Sequence, residues 1–276
     1  MEIKYAAHPE DVKSYGTNRL RSAFLSTNLL VEDEIRLVYT HYDRFVYGGI
    51  KPVGKTLTLG TYDELKSDFF LQRREMGVIN VGGSGVIRVD GQAHVMDKYD
   101  VLYVGRGAQE LVFESQLPGQ PALFYLNSCP AHQTFPTVKN SRAQANKVEL
   151  GDQLTINKRT LYQYIHENGI ASAQLVMGYT ELAPGNAWNT FPPHTHDRRM
   201  EVYFYFDLPE DQIVVHFMGQ PDESRHLAVH NHQAVLSPPW SIHSGAGTSA
   251  YCFVWGMAGE NKAFTDMDGI SLLEFR

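Results

Sequence analysis

Cysteine is nearly absent from this chain of 276 residues: Cys129 and Cys252 are the only two. They lie far apart in apolar, strand-like runs, "LNSCP" and "YCFVW", so two buried free thiols are expected rather than a disulfide framework, a usage that suits a reducing cytoplasm. Positive charge is in deficit, with 24 Lys and Arg against 31 Asp and Glu, a net charge of −7 and a pI near 5.9. Nucleic-acid binding needs a basic face to meet phosphate and is not expected. A local arginine cluster that takes a small carboxylate stays compatible with this balance. No run approaches the roughly 18 consecutive apolar residues of a membrane helix. The N-terminal stretch "MEIKYAAHPEDVKSYG" has no charged-then-apolar signal pattern. The expectation is a cytoplasmic protein that neither spans nor coats a membrane.

Long helical periodicity is also scarce. Helix is expected only over residues 9–15, 17–24, 62–68 and 158–166. The remainder alternates short apolar runs with Gly, Pro and Asp turns, as in "GVIRVDG", "DVLYVG", "MEVYFYFDL", "IVVHFMG" and "AYCFVWGMA". Short, closely spaced strands of this kind imply an all-β protein of antiparallel sandwich or barrel type. The two halves follow a similar plan, although they share few identical residues. The polar stretch 136–157 reads as a linker, which gives an N-terminal barrel over 1–135 and a C-terminal barrel over 158–276. "GGSG" at Gly82 to Gly85 is followed by a strand and lacks a Lys-Ser/Thr pair, so it reads as a hairpin turn rather than a phosphate loop.

Chemistry concentrates in "FPPHTHDRRMEVYFYF", residues 191–206. His194 and His196 are two apart and point the same way on an extended chain. The turn-forming residues 197–200 can bring Glu201 back to the same pocket. His243 follows the Pro-rich turn of "SPPWSIHSG", about forty residues later, a separation that suits two hairpins of a small barrel. Three imidazoles and one carboxylate suit Zn²⁺, Fe²⁺, Mn²⁺ or Ni²⁺ better than Ca²⁺ or Mg²⁺, and such a site can keep a position open for substrate. His216, mid-strand among apolar residues, reads as a core or wall histidine, and His226, His230 and His232 as surface residues near turns. Arg198 and Arg199 flank the motif. Arg199 is in phase with Glu201 and Tyr203 and is the candidate for a substrate carboxylate; Arg159 and Arg225 are further candidates. Tyr203 and Tyr205 share Glu201's face as wall residues, and Trp240 is a candidate pocket wall.

The pattern H-x-H, four residues, E and a distant His after "PPW" resembles the cupin metal signature. The first half has cupin-like turns without the ligands. At closer range, "RREMGVINVGGSGVIRVDG", "ELAPGNAWNTFPPHTHDRRMEVYFYF", "MGQP", "SPPWSIHSGAGTSAY" and "WGMAGEN" resemble the 5-keto-4-deoxyuronate isomerase family, also called 4-deoxy-L-threo-5-hexosulose-uronate ketol-isomerase, through nearly the full length. The resemblance implies a bicupin with a degenerate, metal-free N-terminal barrel. It implies one Zn²⁺ per subunit on His194, His196, Glu201 and His243, and a homohexamer that isomerises a small uronate in pectin and uronate breakdown. In that reaction the metal polarises a carbonyl and a general base moves a proton between C1 and C2; water on the metal and an unassigned side chain both stay open as the base. The nearest alternative is 5-deoxyglucuronate isomerase, followed by a metal-dependent cupin dioxygenase. A sugar-acid sensor would be expected to carry a helix-turn-helix, and none is visible.

Overall fold

Runs of β-branched and aromatic residues cut by turns become strands in the computed structural model, which describes every residue from 1 to 276. The two α-helices are Pro9–Val12 and Thr17–Phe24. No helix is long and apolar enough to cross a membrane. The helix expected over 158–166 is a strand instead, Arg159–Ile165, paired antiparallel with Asn146–Leu150 so that Leu161 faces Val148. Its sequence, RTLYQYI, is rich in residues that pack well on a pleated surface, and a partner strand satisfies its backbone. The helix expected over 62–68 shrinks to a single 3₁₀ turn, Asp63–Leu65.

Two compact units emerge, each with a seven-stranded and a four-stranded sheet. The first contains Met1–Ile3, Asn28–Ala145 and Tyr164–Met177; the second contains Lys4–Thr27, Asn146–Gln163 and Gly178–Arg276. The division is therefore interleaved rather than a single break with a linker over 136–157. That stretch supplies an edge strand to each unit: Val138–Asn140 pairs with Val101–Val104, and Asn146–Leu150 with Arg159–Ile165. The N-terminal residues 4–27 go with the second unit because Leu25–Ser26 pairs with Ala234–Ser237.

In the first unit Val78, Ile87, Phe113, Phe124 and Leu126 lie at the centre of a continuous apolar core. The glycines of "GGSG" do not close a hairpin, since Arg74–Asn80 and Gly85–Val89 belong to different sheets. They let the crossing chain lie against residues 120–123: a Cβ on Gly83 would sit 2.0 Å from the Gln120 carbonyl oxygen. Cys129 and Cys252 are free and buried, as expected.

One buried carboxylate ties this unit together. Glu75 has no solvent exposure. It accepts backbone N–H groups from Ala173 at 2.7 Å, Gln174 at 2.8 Å and Leu175 at 2.7 Å, and the Tyr103 hydroxyl at 2.7 Å. Four donors replace the water that a buried carboxylate loses. Replacing Glu75 by Ala leaves three N–H groups without their acceptor, that of Leu175 buried and those of Ala173 and Gln174 half-buried, and is expected to cost about 3 kcal/mol, whereas Tyr103→Phe removes one donor and is expected to cost about 1–2 kcal/mol. Urea unfolding of the two variants checks this; equal costs would refute a dominant role for the backbone bonds.

Candidate metal centre and its cavity

Strand Arg199–Phe206 lies inside the larger sheet of the second unit, between Cys252–Gly259 and Ala234–Ser237. Alternation sends Arg199, Glu201 and Tyr203 to one face. Met257 pairs with Glu201 and Trp255 with Tyr203, so Phe253, Trp255 and Met257 present the same face beside them. These residues line a cavity of about 580 Å³, a size that suits a small molecule. His194 also lines it, from the two-residue strand His194–Thr195 paired with Asp268–Gly269. His196 follows two positions on and stays on the same side. Its carbonyl accepts the Arg199 N–H at 3.1 Å, the turn that returns Glu201 to the histidines. His243 enters from the loop before Ser244–Gly247, where the Ser241 hydroxyl accepts the Gly219 N–H at 2.9 Å and fixes the loop.

The donor atoms converge. His194 Nε2 lies 3.0 Å from His243 Nε2, and Glu201 Oε2 lies 3.2 Å from His196 Nε2 and 3.1 Å from His243 Nε2. The three histidine donors all fall within 4.8 Å of one another, the one such cluster in the molecule, and could hold a metal ion. The tautomers test the fit. His196 Nδ1 donates to the Arg199 carbonyl at 3.0 Å, so the neutral ring turns the bare lone pair of Nε2 toward a carboxylate oxygen. Two acceptors face each other unless a cation or a proton lies between them, and a nitrogen-rich set with one carboxylate suits a divalent transition metal.

Burial pushes His194 down to about 3, helped by the neighbouring His196 and Arg199 charges. His243 is driven well below the ordinary imidazole value, first by burial and then by His194, His196 and His216. Both rings are therefore neutral, as metal ligands must be. His196 differs: burial opposes its protonation, but the hydrogen bond and charge of Glu201 outweigh burial and raise it. Burial holds the Tyr203 phenol protonated, hydrogen-bonded to Thr190 Oγ1 at 2.8 Å.

The flanking arginines hold a strap over this site. Arg199, 1% exposed, donates from Nη1 to the Ala263 carbonyl at 2.6 Å and from Nη2 to the Asp266 carbonyl at 2.9 Å. Arg198 donates from Nε to the Asp266 carboxylate at 2.9 Å and pairs with Asp268 at 2.9 Å. Phe264, Thr265, Met267 and Ile270 of this strap line the cavity. Sequence reading did not find them, because they carry no periodicity or motif; only the acids Asp266 and Asp268 hint at partners for Arg198. Arg159 lines the cavity from a strand three places along the sheet from that of Glu201. Trp240 does not line it and packs edge-on against Phe24 at 6.2 Å. Arg225 lies apart from it, against the Lys13 carbonyl. His216 is a buried core histidine, outside the cavity lining, whose Nδ1 meets the Tyr205 hydroxyl at 2.7 Å.

Two sheet-built units define a bicupin, and the second carries, at its cavity, a three-histidine cluster that could hold a metal ion. Solved structures agree on the fold. An iolB-like protein from Salmonella typhimurium LT2 superimposes with a TM-score of 0.73 at 16% identity, over 90% of this chain and 96% of that one. Oxalate decarboxylase from Lactobacillus farciminis gives a TM-score of 0.55 at 9% identity, over 83% and 79%. The sequence model of the KduI/IolB family matches residues 28–270, and the chain belongs to that family. It is similar to two curated proteins named 4-deoxy-L-threo-5-hexosulose-uronate ketol-isomerase. The one from Formosa agariphila is 54% identical over all of this chain and 98% of its own length. The one from Shouchella clausii is 52% identical over the whole of both chains.

Arg198 is expected to be the latch of the strap. Its guanidinium, with Asn261 second, holds the Asp266 carboxyl down at about 2. A depressed acid stabilises the fold above its unfolded value, so the contribution is complete above about pH 4 and fades as pH falls toward 2. Arg198→Ala should raise hydrogen exchange across residues 263–270 at pH 7 and leave strand Arg199–Phe206 protected. Unchanged exchange in the strap would refute the latch.

Proposed function

We propose that this chain is a zinc-dependent ketol-isomerase that converts 5-dehydro-4-deoxy-D-glucuronate to 3-deoxy-D-glycero-2,5-hexodiulosonate in pectin and uronate breakdown. The observation that carries this reading is the convergence of His194, His196, His243 and Glu201 beside a small-molecule cavity that His194, His196 and Glu201 line. The names of relatives at 51–54% identity support the substrate class. The cytoplasmic location and hexameric assembly implied by the resemblance belong to the same reading.

The reaction moves a carbonyl from C1 to C2. A proton leaves C2 and is delivered to C1, and the hydroxyl proton passes from O2 to O1. A divalent cation held by the three histidines and Glu201 would polarise the carbonyl and offset the negative charge that develops on oxygen. The chain's own groups do the rest. The Tyr203 phenol, kept protonated by burial, donates to substrate oxygen rather than taking a proton from carbon. Phe253, Trp255, Met257 and Phe264 form an apolar wall that limits water and strengthens each polar contact inside. Glu201 is the one carboxylate lining the cavity, so its commitment to the cation leaves no second acid to act as base.

The test combines elemental analysis with turnover followed by NMR. About one zinc per chain is expected, with C1 aldehyde converted to C2 ketone, no oxygen uptake, and loss of activity on chelation. His194→Ala and His243→Ala should each lose metal and at least about 10³-fold in activity together, since a ligand replaced by Ala leaves the site open. A variant that keeps full activity would refute the ligand assignment. Conversion of 5-deoxyglucuronate in preference to the deoxyhexosulose uronate would refute this substrate and favour the 5-deoxyglucuronate isomerase alternative.

A further inference from the structure

We infer that Arg159 receives the substrate's carboxylate at the end of the cavity away from the histidines. This assignment rests on the reading of the substrate as a linear uronate. Arg159 and Glu201 both line the cavity. In the sheet, strands Val176–Leu182 and Cys252–Gly259 separate the strands that carry them. Three steps of about 4.8 Å put the two backbones roughly 14 Å apart along the sheet. An extended six-carbon chain spans about 6 Å from C1 to C6. Side chains reaching inward from both ends cover the remainder. A substrate whose C1 and C2 oxygens lie at the histidines therefore carries its C6 carboxylate toward Arg159.

Charge points the same way. The Arg159 guanidinium makes one hydrogen bond, from Nη1 to the Asn157 carbonyl at 2.9 Å, and has no acidic partner. The cavity's single carboxylate belongs to the histidine cluster. Arg199, the other arginine of the lining, has both terminal nitrogens occupied by the Ala263 and Asp266 carbonyls. Arg159 is thus a half-buried cation with open N–H groups beside Leu161 and Leu150. A cation partly removed from water and lacking a counter-ion is costly to the free protein, and an incoming carboxylate offsets that cost. The fork of a guanidinium also matches a carboxylate in two parallel bonds.

The test compares Arg159→Gln and Arg159→Lys with the wild type on two substrates, the uronate and its neutral counterpart with C6 reduced to the alcohol, with bound zinc measured in every sample. Arg159→Gln is expected to raise KM for the uronate about tenfold or more while KM for the alcohol and the zinc content stay at wild-type values. Arg159→Lys should recover part of the loss by keeping the charge without the fork. An unchanged KM for the uronate, or an equal loss on both substrates, would overturn the assignment and leave the isomerase reading intact. A wild type that fails to isomerise the uronate would overturn that reading, and this assignment with it.

Discussion

Lone pairs aimed at one another are the constraint on which the second unit is organised. His196 gives its Nδ1 proton to a backbone carbonyl and turns Nε2 to the Glu201 carboxylate. His243 meets that same carboxylate oxygen and the His194 ring within 3.1 Å. Such a group of acceptors repels itself in a dry interior unless positive charge lies among them. The surrounding fold sets the four side chains in place. It does so with strand alternation, a central sheet position for Glu201, and a loop around Ser241 that sets His243.

The same strand also organises the substrate space. Because successive residues of Arg199–Phe206 face opposite ways, Arg199, Glu201 and Tyr203 build the cavity while Met200, Val202 and Phe204 enter the buried interior. Polar chemistry and core packing are served by one strand, which explains why a run as apolar as "MEVYFYF" can carry Glu201 without a break in the fold. The strap of residues 263–270 adds a wall that this strand cannot provide, and it is held by the two arginines that stand between His196 and Glu201.

What could be read from the sequence, and what could not, follows the range of the interactions. The histidine pair and Glu201 are legible because strand period and a short turn are local rules. The all-β class is legible for the same reason. The role of Arg199 is only half legible. Its phase with Glu201 is local, but the carbonyls that occupy it lie 64 and 67 residues away. The strand Arg159–Ile165 reads as helix in the sequence because its partner, Asn146–Leu150, lies within a stretch polar enough to look like a linker. Trp240 was placed by proximity to His243, whereas it packs on a helix some two hundred residues earlier in the chain.

The interleaving of the two units has a consequence for how the chain is made. During vectorial synthesis the first sheet system is short of residues 164–177 until part of the second has already emerged. Glu75 stays without its three backbone donors, a hundred residues on, for all of that time. The N-terminal helix Thr17–Phe24 waits longer still, since Arg21 donates to the carbonyl of Ala228, 207 positions away. The first unit has all its segments only when residue 177 has emerged, and the second waits for the rest of the chain; separations this long slow the search for native pairs. A protease cut between 145 and 164 would accordingly yield two fragments, each lacking a segment carried by the other.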